Sequence, residues 1–549
     1  MGDPVATVAI ETEEIGLLLV HGMGEQKEQE HLLGTAKELA SFIAATPGVV
    51  QLSVVVDDRD KSGSVIVDAW REQGGAATRT RLHLKEVWWA DLGIRGGLWE
   101  QAKFWLWGLG QWAARTIRKG DRARNTEKLM AMPRFGYQRD SNDPPGALRE
   151  LPSRLLLIGA ALLAILTFFT WSAAKQVVSL LSRKLPEPSL IFMFLGDVKI
   201  YERPGGPGKG TILDPNHPVR TTIRRRMVSA MTALAARTDL DRWYVFAHSL
   251  GTIPAFNALQ ETELALPNYL TEAEWNALPP QLKTRAPFEP PGPAPSTDRM
   301  MPRRPAWLDK QDGISRPRLF ERFAGIVTYG SPLDKFAALW PRVVPLNRQA
   351  AVFPESSEWV NLYDPTDPVA ASLDAFAPPT NSGGAEPGRI ALVPQNFASR
   401  ASPLFGLSHI RYFRPRAPTP NSMPAALAGA LLGGPDARMS TAASWAAMSA
   451  AEAWLRMILG LLQVILLLAV LTTAAAGLLL AIGKALPDRW AAYVKQSIDS
   501  VSPKLLAVLQ AGGQDAWIAS GFIVLISALT AILIAGLARF ATEGSGRHG

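Results

Sequence analysis

The sequence predicts an α/β fold joined to transmembrane helices, because two kinds of segment occur along the chain. Short apolar runs that end in small-residue turns alternate with stretches of helical spacing, as in a mostly parallel sheet flanked by helices. Three longer runs, 155–174, 457–483 and 516–538, contain no charged residue and are long enough to cross a bilayer core of about 30 Å as helices. The length of 549 residues accommodates one large α/β domain beside a membrane part.

Composition and motifs exclude several classes of site. The chain has no cysteine, which excludes disulfides, thiolate metal sites and cysteine nucleophiles. Its net charge of +8 is spread along the chain, which favours attraction to anionic lipid over nucleic-acid binding. The glycine-rich run 205–210 lacks the helix start of a phosphate loop, and no metal or dinucleotide motif occurs, so we expect no cofactor and no metal.

The first part of the α/β domain is predicted at 1–97. Ile15 to Val20 is a continuous apolar run typical of a buried parallel strand, and it leads into the turn at 21–24 (HGMG). A helix is predicted at 29–45, and further strands are predicted at 51–56, 64–68 and 82–89. The acidic residues before the first apolar run argue against a signal peptide. We therefore expect this domain to lie in the cytoplasm, and a bacterial inner membrane fits this placement.

Residues 98–184 are predicted to form a membrane-associated insertion. The span 155–174 is preceded by a tryptophan-rich segment, 98–117, whose three charged residues argue against a simple span. A single crossing would place the two parts of one sheet on opposite sides of the membrane. We therefore favour 98–117 as a second span in a hairpin, and a shallow insertion of 155–174 is the alternative.

Residues 185–415 return to α/β character and form the second part of the domain. Strands are predicted at 192–198, 243–247, 323–329 and 359–363, with an amphipathic helix at 220–237. The segment 264–317 is rich in proline and charge, so we expect an insertion outside the core, over or beside the site. We interpret 416–456 as a linker, 457–538 as a transmembrane hairpin and 539–549 as a tail.

Residues 243–251 (WYVFAHSLG) have the pattern of a nucleophile elbow, in which a strand is followed by a sharp turn that carries a serine. Ala247 and Gly251 flank Ser249 at positions where a larger side chain would collide with a neighbouring strand or helix. The pattern is short, and on its own a chance match in a loop explains it equally well. The interpretation of the serine therefore depends on finding its partners.

Serine becomes nucleophilic when a base takes its proton, and a carboxylate orients that base. In folds with this elbow the chain order is serine, acid, histidine. Of seven histidines, only His409 and His548 follow Ser249, and His548 lies in the tail, so His409 is assigned as the base. The acid is Asp367 or Asp364: Asp364 lies at the end of a predicted strand and Asp367 in the loop after it. If Asp367 is the acid, Asp364 forms the turn through its side chain.

A tetrahedral intermediate also needs two backbone N–H donors for its oxyanion. The residue after the nucleophile, Leu250, supplies one donor. The second donor is expected from the loop after an early strand, where Gly22 makes the turn and Met23 follows it. A glycine turn without catalytic function is the alternative for this segment.

Six blocks of sequence together resemble the lipase-like α/β-hydrolases. They are 17–26 (LLLVHGMGEQ), 194–198 (FLGDV), 245–252 (VFAHSLGT), 328–334 (TYGSPLD), 361–369 (NLYDPTDPV) and 408–413 (SHIRYF). The resemblance covers residues 15–415 in discontinuous blocks and implies an α/β-hydrolase core. It favours Asp367 as the acid through its Asp-Pro-Val step, and it makes Ser331 a structural residue. Ala247 replaces the family's usual glycine, and the membrane segments lie outside the family's common core.

These residues predict a serine hydrolase that cleaves carboxylic esters of lipids or other lipophilic acyl compounds, with a role in lipid metabolism. The expected partners are the bilayer and the acyl-ester substrate, and no nucleic acid is expected. Two alternatives stay open: a peptidase or thioesterase on the same fold, and a catalytically idle hydrolase-like domain that acts as a membrane scaffold. The complete order of serine, acid and histidine counts against the idle domain.

Overall fold

The computed structural model describes part of the chain, within which each element can be placed. The described residues are 11–22, 28–57, 63–73, 76–92, 219–285, 302, 304–339, 343–344, 351–376, 387–404, 407–413 and 422–466. Those up to residue 457 belong to one compact unit, and 458–466 belong to a second. The predicted strand at 192–198, the insertion 98–184, Met23 and His548 lie outside the described residues.

Within this part of the chain, the predicted strands and helices are present with shifted ends. The strands are β1 (Glu11–Val20), β2 (Val49–Asp57), β3 (Ser64–Gln73), β4 (Ala76–Val87), β5 (Arg242–His248), β6 (Lys283–Arg285), β7 (Asp312–Ile314), β8 (Phe323–Tyr329), β9 (Phe353–Pro354), β10 (Glu358–Tyr363), β11 (Arg389–Ile390) and β12 (Pro394–Ala398). The helices are α1 (Glu30–Ala44), α2 (Val219–Ala235), α3 (Thr252–Leu259), α4 (Glu272–Ala277), α5 (Arg316–Leu319), α6 (Leu333–Leu339), α7 (Met423–Leu431), α8 (Met439–Ala446) and α9 (Ala450–Leu466).

Eight strands form the central sheet, in the order β12-β10-β8-β5-β1-β4-β3-β2. All neighbours from β12 to β4 pair in parallel, whereas β3 pairs antiparallel with β4 and with β2. β1 therefore lies inside the sheet between β5 and β4, with Leu17 opposite both Tyr244 and Leu84. The predicted α/β character, with a mostly parallel sheet flanked by helices, is confirmed.

Helices cover both faces of the sheet, which explains the sequence of β1. Successive side chains of a strand point to opposite faces, so Leu18 and Val20 join one core cluster with α2 and α3. Leu17 and Leu19 join the other cluster with α1, α7 and α8. Because both faces are buried, the strand needs an unbroken apolar run rather than an alternating one. Each of these buried leucines contributes roughly 2 kcal/mol of hydrophobic stabilisation.

The segment 264–317 contributes to the core, so the expectation that it lies outside the core was wrong. Leu266, Tyr269, Trp275 and Ile314 are buried in the same cluster as α2 and α3. The short helix α4 begins at a complete capping box between Thr271 and Glu274. The apolar residues lie on either side of the proline-rich stretch 287–295, which is itself outside the described residues.

The sequence predicts a linker at 416–456, but the structure shows core helices there. It contains α7 and α8, and their buried residues Leu427, Leu431, Met439 and Ala443 belong to the core cluster that includes α1. Both helices are rich in alanine, whose small side chain allows close packing without a strong amphipathic pattern. The weak pattern explains why the sequence suggested a connection rather than core helices.

Among the described residues, no helix taken alone has the length and apolar composition of a bilayer span. The helices α8 and α9 meet these criteria only as a pair, and they are bent by 66° where they join. The predicted spans 155–174 and 516–538 lie outside the described residues, and 457–483 is described as far as Leu466.

Candidate active site

The predicted site residues follow the carboxyl ends of parallel strands. Ser249 follows β5, Asp367 lies in the loop after β10, and His409 lies beyond β12. The turn at His21 follows β1, the neighbour of β5 in the sheet. Because the carboxyl ends of parallel strands open at one edge of a sheet, residues separated by 160 positions in the chain come into hydrogen-bonding contact there.

Ser249 lies on a strained turn between β5 and α3, as the elbow pattern predicts. Its φ of 50° is in the left-handed region, which costs a residue with a side chain roughly 1–2 kcal/mol. The turn has close neighbours: a Cβ added at Gly22 would lie 2.6 Å from the Ser249 Cβ, and one added at Gly251 would collide with the backbone carbonyl of His21. Both glycines are therefore required by the approach of β1's turn to the elbow.

His409 joins Ser249 to Asp367 in one continuous series of hydrogen bonds. Its Nε2 lies 2.8 Å from the Ser249 Oγ. Its Nδ1 lies 2.9 Å from Asp367 Oδ2 and 3.2 Å from Oδ1. Since a carboxylate only accepts, Nδ1 carries the proton and donates it, which leaves Nε2 free to accept the serine O–H. All three residues are at least 98% buried.

Asp367 is held as a buried carboxylate by several donors. Besides His409, it accepts hydrogen bonds from the Val369 N–H at 2.8 Å and from the Tyr412 O–H at 2.9 Å. Burial alone would raise the pKa of Asp367, but the His409 imidazole and these hydrogen bonds lower the pKa below its usual value. Asp367 is therefore ionised at neutral pH and fixes the tautomer of His409.

Asp364 forms the turn that leads to Asp367. Its Oδ1 accepts the N–H of Thr366 at 2.8 Å, as expected of a turn-forming aspartate. Its Oδ2 accepts the backbone N–H groups of Ala401 and Ser402, at 2.8 and 3.2 Å. Burial raises the pKa of Asp364. Of the two candidate acids, Asp367 is the one that the structure brings to the base.

Tyr412 is a site residue that the sequence did not reveal. Its hydroxyl donates to Asp367 Oδ2, the same oxygen that His409 contacts, and accepts the backbone N–H of Asp364 at 2.8 Å. The ring is 96% buried, and burial raises the pKa of the phenol well above its usual value, so it stays a donor. Tyr412 lies three residues after His409, in the block 408–413, and this proximity in sequence is the feature that could have indicated it.

His248, the residue before Ser249, also contacts His409. Its Nε2–H donates to the backbone carbonyl of His409 at 2.8 Å, and its ring stacks on Tyr329 at a centroid distance of 4.9 Å. Burial, and then the neighbouring His409, lower the pKa of His248 well below its usual value, so the ring is neutral. His248 precedes Ser249 in the chain and so is not the predicted base, and nothing in the sequence indicates its contact with His409.

The turn after β1 is held by His21. Its Nδ1–H donates to the Gly22 carbonyl at 2.6 Å, and its Nε2 accepts the backbone N–H of Trp89 at 3.0 Å. The His21 and Trp89 rings stack at a centroid distance of 5.0 Å. Burial lowers the pKa of His21 to about 4. Leu250, one predicted oxyanion donor, is buried in the turn directly after Ser249. The other, Met23, lies outside the described residues.

Ser331 has the structural contacts expected of it. Its hydroxyl lies 3.0 Å from the Thr252 hydroxyl, which in turn donates to the Ser249 carbonyl at 2.7 Å. It also accepts the N–H of Leu333. Ser331 thus supports the backbone at the start of α3.

No cluster of three or more metal-ligating side chains is found among the described residues. Comparisons of the chain with family models, with curated proteins and with solved structures find no match. The interpretation of the site therefore depends on the geometry of its own residues.

Proposed function

We propose that the protein is a serine hydrolase with an α/β-hydrolase core, which cleaves carboxylic esters through an acyl-enzyme. One observation carries the proposal: the buried hydrogen-bond series from the Ser249 Oγ through His409 to Asp367, at the carboxyl edge of a parallel sheet. The strained turn at Ser249, between a strand and a helix, supports it further because the serine of a nucleophile elbow occupies such a turn at the carboxyl edge of a sheet.

In the first step, the Ser249 Oγ attacks the carbonyl carbon of the ester while His409 Nε2 takes the hydroxyl proton. The charge on the substrate oxygen is stabilised by backbone N–H groups, for which we propose Leu250 and Met23. Asp367 stays ionised and stabilises the imidazolium. Ser249 lies just before α3, so the positive potential at the N-terminus of this helix also favours the negative charge on the substrate oxygen.

In the second half of the reaction, the C–O bond to the alcohol breaks and His409 Nε2 returns its proton to the leaving oxygen. Water then attacks the acyl-serine and gives up a proton to the same nitrogen. The bond between the acyl carbon and the Ser249 Oγ breaks, His409 Nε2 returns the proton to that oxygen, and the carboxylic acid leaves. The neutral His248 holds the backbone of His409 through both halves, so the base keeps its distance from the serine.

We further propose that the substrate is a lipid or another lipophilic acyl ester, and that the protein lies at a membrane with its catalytic domain on the cytoplasmic side. The three uncharged runs of the sequence support the location at a membrane. Additional support comes from α9, whose exposed side chains are strongly apolar, with Trp454, Leu459 and Leu462 about half exposed.

Labelling with a fluorophosphonate tests the nucleophile. The detergent-solubilised full chain is expected to be labelled, the Ser249→Ala variant is expected to lose labelling, and the matched variant Ser331→Ala, which removes another buried serine beside the elbow, is expected to keep it. Equal labelling of wild type and Ser249→Ala, or no labelling of wild type, contradicts the proposal. Hydrolysis of acyl esters and thioesters of increasing chain length, with a peptide anilide as comparison, then distinguishes a lipid esterase from a thioesterase or peptidase.

A further inference from the structure

Arg456 connects the last described helix to the loop that carries the acid. It lies in α9, 15% exposed, and its Nη1 is 3.3 Å from Asp364 Oδ2. The Asp364 side chain is fully buried. In the sequence, Arg456 directly precedes the apolar run at 457–483.

Asp364 organises the acid loop from within. Its two oxygens accept three backbone N–H groups, one from the loop itself at Thr366 and two from the segment after β12, at Ala401 and Ser402. Its own N–H donates to the Tyr412 hydroxyl, which donates to Asp367. A shift of the Asp364 carboxylate would therefore move the acid loop and the tyrosine that holds the acid.

The Asp364 carboxylate needs a positive charge to stay in place. A buried carboxylate that loses its cationic partner either takes up a proton or draws water towards itself, and both changes alter its hydrogen bonds. Arg456 is the cation that the structure places on it. Protonation of Asp364 would convert one of its accepting positions into a donor that faces N–H groups.

The N-terminal end of α9 is also fixed to the segment after β12, whose backbone N–H groups donate to Asp364. Arg400 forms a two-point ion pair with Glu452, with distances of 2.7 and 2.5 Å, and the N–H of Met448 donates to the Ala398 carbonyl at 2.9 Å. These contacts hold the first turns of α9 beside β12 and place Arg456 over Asp364. The position of the arginine is therefore set by the helix and not by its side chain alone.

We propose that Arg456 is a positioning residue for catalysis, which holds the acid Asp367 in register with His409 by neutralising Asp364. The inference rests on the proposed serine hydrolase triad. It assigns to α9 a function in the site, because the helix that leads into the apolar C-terminal run supplies the charge on which the acid loop depends.

A double-mutant cycle on the full chain in detergent tests this inference, with p-nitrophenyl butyrate as substrate. Arg456→Met is expected to lower kcat roughly 10- to 100-fold, as for a misplacement of about 1 Å in the triad, with KM within about 2-fold of wild type. Arg456→Lys, which keeps the charge, is expected to recover most of the lost kcat. Arg318→Met, at an arginine 60% exposed and paired with Glu321, is the matched control and is expected to equal wild type.

The Asp364→Asn background separates positioning from general stability. There the charge of Arg456 has no carboxylate to neutralise, so Asp364→Asn and Asp364→Asn/Arg456→Met are expected to have the same kcat within about 2-fold. An equal loss from Arg456→Met in both backgrounds, or a kcat for Arg456→Met within 2-fold of wild type, overturns the inference. If near-UV circular dichroism shows that Arg456→Met does not fold, the comparison of kcat between Asp364→Asn and Asp364→Asn/Arg456→Met tests the inference. An inert wild type overturns the hydrolase proposal itself, and the inference with it.

Discussion

Replacement of Gly22 by alanine is expected to slow the reaction of Ser249 without unfolding the protein. The new Cβ would lie 2.6 Å from the Ser249 Cβ and 3.1 Å from His248 Nδ1. To reach an ordinary contact of 3.4 Å, the turn and the serine must separate by about 0.8 Å. A misplacement of about 1 Å between reacting groups costs roughly 100-fold in rate, so we expect a loss of this order.

The assay is the second-order rate of fluorophosphonate labelling, measured alongside the melting temperature. Gly429→Ala is the matched control, because the added Cβ meets nothing within 4 Å and alanine is favoured in the interior of α7. It is expected to label at the wild-type rate and to be more stable by about 1 kcal/mol. A folded Gly22→Ala variant that labels as fast as Gly429→Ala would refute the claim that the turn after β1 packs against the nucleophile.

Three further outcomes follow, two from the contacts of the site and one from the burial of Glu86 near the end of β4. Asp367→Asn is expected to lower kcat by about 10⁴-fold in steady-state hydrolysis, since an amide no longer fixes the His409 tautomer; a loss below 10-fold would reject Asp367 as the acid. Tyr412→Phe leaves the buried Asp364 N–H without its acceptor and is expected to lower the free energy of unfolding by about 1–3 kcal/mol in urea titration, whereas an unchanged midpoint would deny the contact. Burial raises the pKa of Glu86 to about 7, so its contribution to stability is complete below pH 4.5 and lost as pH rises through 7. Glu86→Gln is therefore expected to gain in melting temperature over wild type between pH 5 and 8, and a pH-independent difference would contradict this reasoning.

The central strands and the proposed triad residues were predictable, because local sequence pattern and chain order indicate them. β1 and β5 are buried on both faces, which requires continuous apolar runs that stand out in sequence. Ser249 and His409 were found from a turn that accepts only small neighbours and from the scarcity of histidine after it. The preference for Asp367 over Asp364 came from a resemblance, and the structure places Asp367 on the base.

The supporting residues were not predictable, because their contacts depend on how distant segments meet. Tyr412 acts on Asp367 across 45 positions of the chain, and Arg456 reaches Asp364 across 92. Neither a tyrosine nor an arginine stands in a sequence pattern that identifies a distant aspartate as its hydrogen-bond partner. The core helices α7 and α8 were missed for a different reason, since their alanine-rich faces produce little contrast between buried and exposed positions.

The place of β1 between β4 and β5 affects how the protein folds during its synthesis. β2, β3 and β4 follow β1 closely in the chain, so one edge of β1 can pair early, whereas β5 begins about 220 residues after β1 ends. At bacterial or eukaryotic rates of synthesis this interval lasts roughly 10–45 s. Until β5 is made, the edge of β1 that pairs with β5 in the folded protein lacks that partner, and an unpaired strand edge is a template for wrong pairing. Pairing with β5 closes that edge and brings Ser249, which directly follows β5, to the turn at Gly22, so closure of the sheet and placement of the serine coincide.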